Sequence, residues 1–184
     1  MSEGQTNILM VEDTLTQAMM LQHMLESNGF SVKHAKDGED ALRILADGSS
    51  KVDIILTDVN MPGIDGYQLC TKVKEDATLK KIPIVLLASL LEPSDIIKII
   101  ESGADNFILK HYEQSYFISR LQGIVDSMQF AKEDVPDGTR KVTLAGEDFE
   151  VPLQPSKMLD MLISAFETAV YQNWKAKESD DDDE

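Results

Sequence analysis

Cysteine is nearly absent: Cys70 is the single one among 184 residues. An internal disulfide framework is therefore excluded, and a reducing compartment is the natural home. Cys70 sits within a helical pattern and reads as a core or half-buried thiol. Long apolar runs are missing too, and none approaches the roughly 20 residues that a membrane-spanning helix needs. Met1-Ser2-Glu3-Gly4 leads straight into a short apolar run with no basic region before it. Neither a secretory signal nor membrane insertion is expected, and a cytoplasmic location is. Basic residues are also few: 17 Lys and Arg face 33 Asp and Glu, for a formal net charge of −16. The last five residues, Asp180 to Glu184, carry five of those negative charges, so most of the excess belongs to the body of the chain. Nucleic acid is repelled at long range and is not an expected partner. There is no Gly-rich phosphate loop, no nucleophile elbow and no zinc pattern. His23, His34 and His111 lie far apart without metal-ligand spacing, which assigns them to the surface or to packing.

What is present is the balance of a globular protein, with 42% hydrophobic and 27% charged residues. The length accommodates one ordinary domain and an appendage. Short apolar runs alternate with helix-length amphipathic stretches: Ile8 to Val11 then Leu15 to Ser27, Ser31 to Ala35 then Gly38 to Ala46, Ile54 to Thr57 then Gly66 to Glu75. The alternation continues through Ile84 to Leu87, Ser94 to Ser102, Asn106 to Leu109 and Glu113 to Met128. Strands such as Ile84-Val85-Leu86-Leu87 are apolar on both faces, as a parallel sheet covered by helices on each side requires. The expected fold is a doubly wound α/β domain, flavodoxin-like, with five parallel strands in the order 2-1-3-4-5. Asn28-Gly29, Pro62-Gly63, Pro83 and Gly103 punctuate these elements where turns and helix ends fall.

After Phe130 the composition changes. A polar stretch from Ala131 to Thr139 precedes two alternating segments, Lys141 to Leu144 and Phe149 to Pro152, which flank Ala145-Gly146-Glu147-Asp148 and predict a β-hairpin. A final helix capped by Ser156 carries Leu159, Leu162, Phe166 and Ala169 along one face. That stripe either packs on the parent domain or forms a dimer seam. The expected organisation is a domain over residues 1–130, a hairpin and helix extension over 131–178, and a solvated acidic tail over 179–184.

In an open parallel sheet, ligands bind beyond the carboxyl ends of the strands, where the strand order reverses. The residues ending strands one, three, four and five are Glu12 and Asp13, Asp58, Ala88 and Lys110. Three carboxylates in one pocket repel one another, and a small divalent cation with a preference for oxygen ligands, Mg²⁺, neutralises them. Such an ion beside Asp58 would also screen an incoming phosphoryl group, with Lys110 supplying a cation on the other side.

These residues resemble the receiver domains of two-component response regulators. The resemblance rests on Met10-Val11-Glu12-Asp13, on Thr57-Asp58-Val59-Asn60-Met61-Pro62-Gly63-Ile64-Asp65-Gly66, and on Gly103-Ala104-Asp105-Asn106-Phe107-Ile108-Leu109-Lys110. It spans about Thr6 to Met128. It implies that Asp58 accepts phosphate from a histidine kinase or phosphotransfer protein. It also implies that Glu12, Asp13, Asp58 and the backbone carbonyl of Asn60 bind Mg²⁺, and that Lys110 contacts the phosphate. Three departures stand out. Ala88 occupies the position usually held by Thr or Ser, and Ser89 points away from Asp58 if the strand continues through it. His111 replaces the proline after the lysine, and a non-proline cis bond costs about 2.5 to 4 kcal/mol. Phe107 takes the place of the switch aromatic but has no hydroxyl. The segment from Lys157 to Ala169 is similar to linkers that join receivers to downstream histidine-kinase modules, as in a fragment or shortened relative of such a protein.

The resulting expectation is a receiver phosphorylated on Asp58 with Mg²⁺, not an enzyme beyond its own phosphorylation and dephosphorylation. It would signal through protein contacts, including a homodimer through the C-terminal helix or the last α/β face. The alternative is a degenerate receiver that docks partners without phosphorylation.

Overall fold

The computed structural model describes residues 5–89, 93–110, 114–130, 139–144 and 147–152, with the side chains of 93, 94, 96, 97, 100 and 127–130 and those of 139–152 left aside. The chain divides into two units, Met1–Lys132 and Glu133–Glu184.

The first unit alternates β1 (Asn7–Val11), α1 (Leu15–Ser27), β2 (Ser31–Ala35), α2 (Gly38–Asp47), β3 (Ile54–Asp58), α3 (Gly66–Glu75), β4 (Ile84–Ala88), α4 (Pro93–Ser102), β5 (Asn106–Leu109) and α5 (Gln114–Phe130). The five strands form one sheet in the order β2-β1-β3-β4-β5, and every pair is parallel. This is the expected flavodoxin-like arrangement. Its strand order reverses between β1 and β3, which brings the carboxyl ends of those two strands side by side.

Successive side chains of a strand point to opposite faces, and here each face has its own core. Ile8, Met10, Ile54, Leu56, Val85 and Leu87 pack with Ala18 and Leu25 of α1 and with Leu121 and Ile124 of α5. Leu9, Val11, Ile55, Ile84 and Leu86 pack on the other face with Ala41, Leu45, Leu69 and Val73 of α2 and α3. All five residues of β3 and of β4 are buried, which is why these strands read as unbroken apolar runs. Cys70 is buried in the second of these cores, and burial pushes its thiol pKa up. In α1 the outward side chains Leu15, Met19 and Met20 are large, apolar and exposed. Among the described residues, no helix is long and apolar enough to cross a membrane.

In the second unit, β6 (Thr139–Leu144) and β7 (Glu147–Pro152) pair antiparallel, with Val142 opposite Phe149 and Leu144 opposite Glu147. Both predicted segments lie in these strands. The pairing runs further toward the turn than the sequence reading placed it, leaving Ala145 and Gly146 between the strands, a length that suits the right-handed twist of a hairpin. The expected helix after Ser156, its dimer seam and the tail 179–184 lie outside the described residues.

Candidate functional site

The site is built at the carboxyl edge of the sheet. Just past β1, Glu12 continues the ladder with β2, its N–H donating to the Ala35 carbonyl at 3.1 Å. Its own carbonyl accepts from His34 Nε2 at 2.8 Å. The Glu12 side chain is 1% exposed, although nothing about a glutamate favours burial. It is held there by polar partners: Oε1 accepts from the Thr14 N–H at 3.2 Å and Oε2 from Lys110 Nζ at 3.0 Å. Asp13 is exposed, and its Oδ1 accepts from the Thr14 hydroxyl at 3.4 Å.

Asp58 is the last residue of β3 and is 6% exposed. Its Oδ2 lies 2.7 Å from Lys110 Nζ, and its Oδ1 accepts from the Asn60 N–H at 3.3 Å. The loop behind it explains the downstream Asp-Gly pair. Asp65 caps α3 by accepting from the Gln68 N–H at 2.7 Å, and the Gln68 side chain returns a bond to the Asp65 N–H, a reciprocal capping box. Gly66 packs so closely on the strand end that a Cβ there would collide with the Asp58 carbonyl. A side chain at position 66 would push α3 off the pocket.

Lys110 follows β5 and is anchored by its N–H, which donates to the Ala88 carbonyl at 2.8 Å. Its ammonium meets Asp58, Glu12 and, at 3.3 Å, Gln17 Oε1. Burial alone would lower its pKa, but the bonds and charges of Asp58 and Glu12 outweigh that and hold it above the ordinary lysine value. Carboxylate oxygens of Glu12, Asp13 and Asp58 all lie within 4.8 Å of one another. Among the described residues, three acids thus face one lysine, and negative charge is in surplus.

Of the remaining residues singled out from the sequence, Ala88 ends β4, is buried, and brings no donor to the pocket. Because β4 stops there, strand alternation no longer fixes the direction of Ser89, which is half-buried. Phe107 is half-buried and packs against the core on the α3 side of the sheet. Asn60 is exposed beside Asp58, whereas His111 lies outside the described residues. Two contacts escaped the sequence reading. Gln17 is one. His34 is the other: it was assigned to the surface or to packing, yet it bonds the main chain of an acid in the pocket. Within the first turn of a helix, or one residue from a strand's end, nothing in the local pattern signals a contact across the sheet.

Residues 8–122 match the response regulator receiver domain, and the chain belongs to that family. It is similar to the response regulator PleD of Caulobacter vibrioides, 37% identical over 117 residues, or 64% of this chain and 25% of that protein. It is likewise similar to the two-component response regulator ORR3 of Oryza sativa subsp. indica, 34% identical over 119 residues, 65% of this chain and 89% of that one. The match thus takes in only a quarter of PleD. Among solved structures, the signal receiver domain of a signal transduction histidine kinase from Syntrophus aciditrophicus superimposes with a TM-score of 0.60 at 36% identity, covering 76% of this chain and 98% of the other.

Proposed function

We propose that this chain accepts a phosphoryl group on Asp58 from a phosphohistidine of a histidine kinase or phosphotransfer protein, with Mg²⁺ bound beside it. The observation that carries this reading is the surplus of negative charge: Glu12, Asp13 and Asp58 share one pocket, and among the described residues Lys110, bonded to Glu12 and Asp58, is the only cation paired with them.

The donor set fits Mg²⁺, which takes hard oxygen ligands and keeps several waters. Glu12, Asp13 and Asp58 would hold it through carboxylate oxygens, together with the Asn60 carbonyl. When bound, the ion supplies positive charge against the oxygens of the transferring phosphoryl group. The chain's own residues do the rest. Asp58 is anchored at a strand end, so its carboxylate meets the phosphorus from a fixed direction. In the transfer a P–O bond to Asp58 forms, the P–N bond breaks, and the donor imidazole leaves with the electron pair. Lys110, already 2.7 Å from Asp58 Oδ2, follows the negative charge outward onto the phosphoryl oxygens. Leu15, Met19 and Met20, exposed on the two turns after the acidic pair, offer apolar surface to the donor protein beside the pocket. No separate substrate or further enzymatic activity is assigned.

Incubation with Mg²⁺ and a small phosphodonor should add a single acid-labile phosphate, detected by mass, that is absent in Asp58→Asn and in EDTA. Absence of any adduct in the wild type would reject this reading. It would favour a phosphorylation-independent docking module, for which Ala88, with no hydroxyl to bind phosphate, is the supporting observation.

A further inference from the structure

We infer that His34 is a positioning residue for the acidic pair, setting the orientation of the peptide between Glu12 and Asp13 and thereby the affinity of the pocket for Mg²⁺. The inference rests on the reading of Glu12, Asp13 and Asp58 as the ion's ligands.

The main chain carries the case. In a parallel ladder a residue's N–H and C=O bond two residues of the neighbouring strand that stand two apart. Glu12 donates to the Ala35 carbonyl, so a continued ladder would have the N–H of residue 37 bond the Glu12 carbonyl. But β2 ends at Ala35, the chain turns there into α2 with Asp37 as its N-cap, and the Asp37 N–H makes no bond to the Glu12 carbonyl. The ladder stops with one carbonyl unmet, at the peptide that joins the two acids. His34 supplies the missing donor from its side chain, Nε2 to Glu12 O at 2.8 Å. A carbonyl oxygen only accepts, so Nε2 carries the hydrogen.

That bond fixes a peptide plane. The Glu12 carbonyl and the Asp13 nitrogen belong to the same rigid unit, so holding the carbonyl also sets the direction in which Asp13 leaves the strand. Glu12 has two further anchors, Thr14 and Lys110, whereas Asp13 is exposed and, among the described residues, its carboxylate is bonded only by the neighbouring Thr14 hydroxyl. His34 thus acts chiefly on Asp13, the least restrained of the three acids.

The stereochemistry of amides provides the test. The glutamine side-chain nitrogen falls near the place of Nε2, and that of asparagine near the place of Nδ1. Mg²⁺ binding to the full chain is measured by calorimetry for wild type, His34→Gln, His34→Asn and His34→Leu, and the melting temperature of each is recorded in EDTA. Groups that orient metal ligands typically cost 10- to 100-fold in affinity when removed. His34→Leu and His34→Asn are expected to weaken Mg²⁺ about tenfold, and His34→Gln to stay within about twofold of wild type. A purely structural histidine would lower the melting temperature in EDTA and leave the affinity alone. Equal affinity in all four proteins, or His34→Gln as weak as His34→Asn, overturns the inference while leaving the pocket's reading intact. A wild type that binds no Mg²⁺ overturns the reading of the pocket, and the role of His34 with it.

Discussion

The two ends of the sheet hold their carboxylates in different ways. At the amino edge, Asp53 just before β3 reaches sideways to the N–H of Asn7, the first residue of β1, at 3.0 Å and pairs with Lys51 at 2.8 Å. Asp105 just before β5 does the same for Ile84, the first residue of β4, at 2.8 Å and pairs with Lys74 at 2.6 Å. Lys74 in turn donates to the carbonyl of Ile82 at 3.0 Å. Each carboxylate there has one cation and one main-chain partner. At the carboxyl edge, the Lys110 ammonium bonds side chains, among the described residues, and is outnumbered by acids. Carboxylates bonded across to a neighbouring strand's main chain hold the sheet's register, whereas Glu12 and Asp58 bond main chain only two residues on and share one ammonium between them. Surplus charge, deep burial of Glu12 and Asp58, and one lysine shared between them set the carboxyl edge apart.

Removing each lysine should separate the two ends. Lys110→Met leaves Glu12 and Asp58 buried without their counter-ion, and breaking such a pair costs about 3 kcal/mol in metal-free buffer. Millimolar Mg²⁺ should restore part of that loss, because the acids remain to bind it. Lys74→Met should cost less, about 2 kcal/mol for lost charge-assisted bonds, and be indifferent to Mg²⁺. Urea unfolding of both variants with and without the ion checks this, and equal rescue of the two would erase the distinction.

The pocket's own deficiency offers a smaller effect. Restoring a hydroxyl with Ala88→Thr places a donor at the end of β4 and should stabilise bound phosphate by one charge-assisted bond, about 1.5 kcal/mol or roughly tenfold in lifetime. A phosphate half-life unchanged from wild type would mean that another group already fills that role.

Most of the fold could be read from the sequence because hydrophobic periodicity is a local property. Leu15 to Ser27, Ser31 to Ala35, Gly66 to Glu75 and Asn106 to Leu109 have the bounds expected, and the other elements differ by one or two residues, as at Asp58 and Ala88, where the polar or small end of a strand still pairs. The acids and Lys110 could be read from their places at strand ends. Contacts that depend on register between strands could not. His34 meets Glu12 only because β2 lies beside β1, and Asp53 and Asp105 look like loop carboxylates until the neighbouring strand is in place. The stripe after Ser156 was equally visible as a pattern, but it lies outside the described residues.

The smallest effect expected concerns the amino edge and its response to acid. Burial alone would raise the Asp53 pKa, but bonds from Lys51 and from the Asn7 main chain and side chain outweigh it and hold the carboxyl below its ordinary value of 3.8. A group depressed on folding contributes stability above its unfolded pKa and loses it as pH falls through the folded one. The charge of Asp53 therefore stabilises the protein at neutral pH by about 1 kcal/mol. Asp53→Asn keeps the shape but not the charge, so the gap in urea stability between it and wild type should be constant above pH 3.8 and close only below it. Lys51 is largely exposed, so salt should narrow the gap as well. A gap that closes well above pH 3.8 would mean that a group other than Asp53 governs the acid response of this edge.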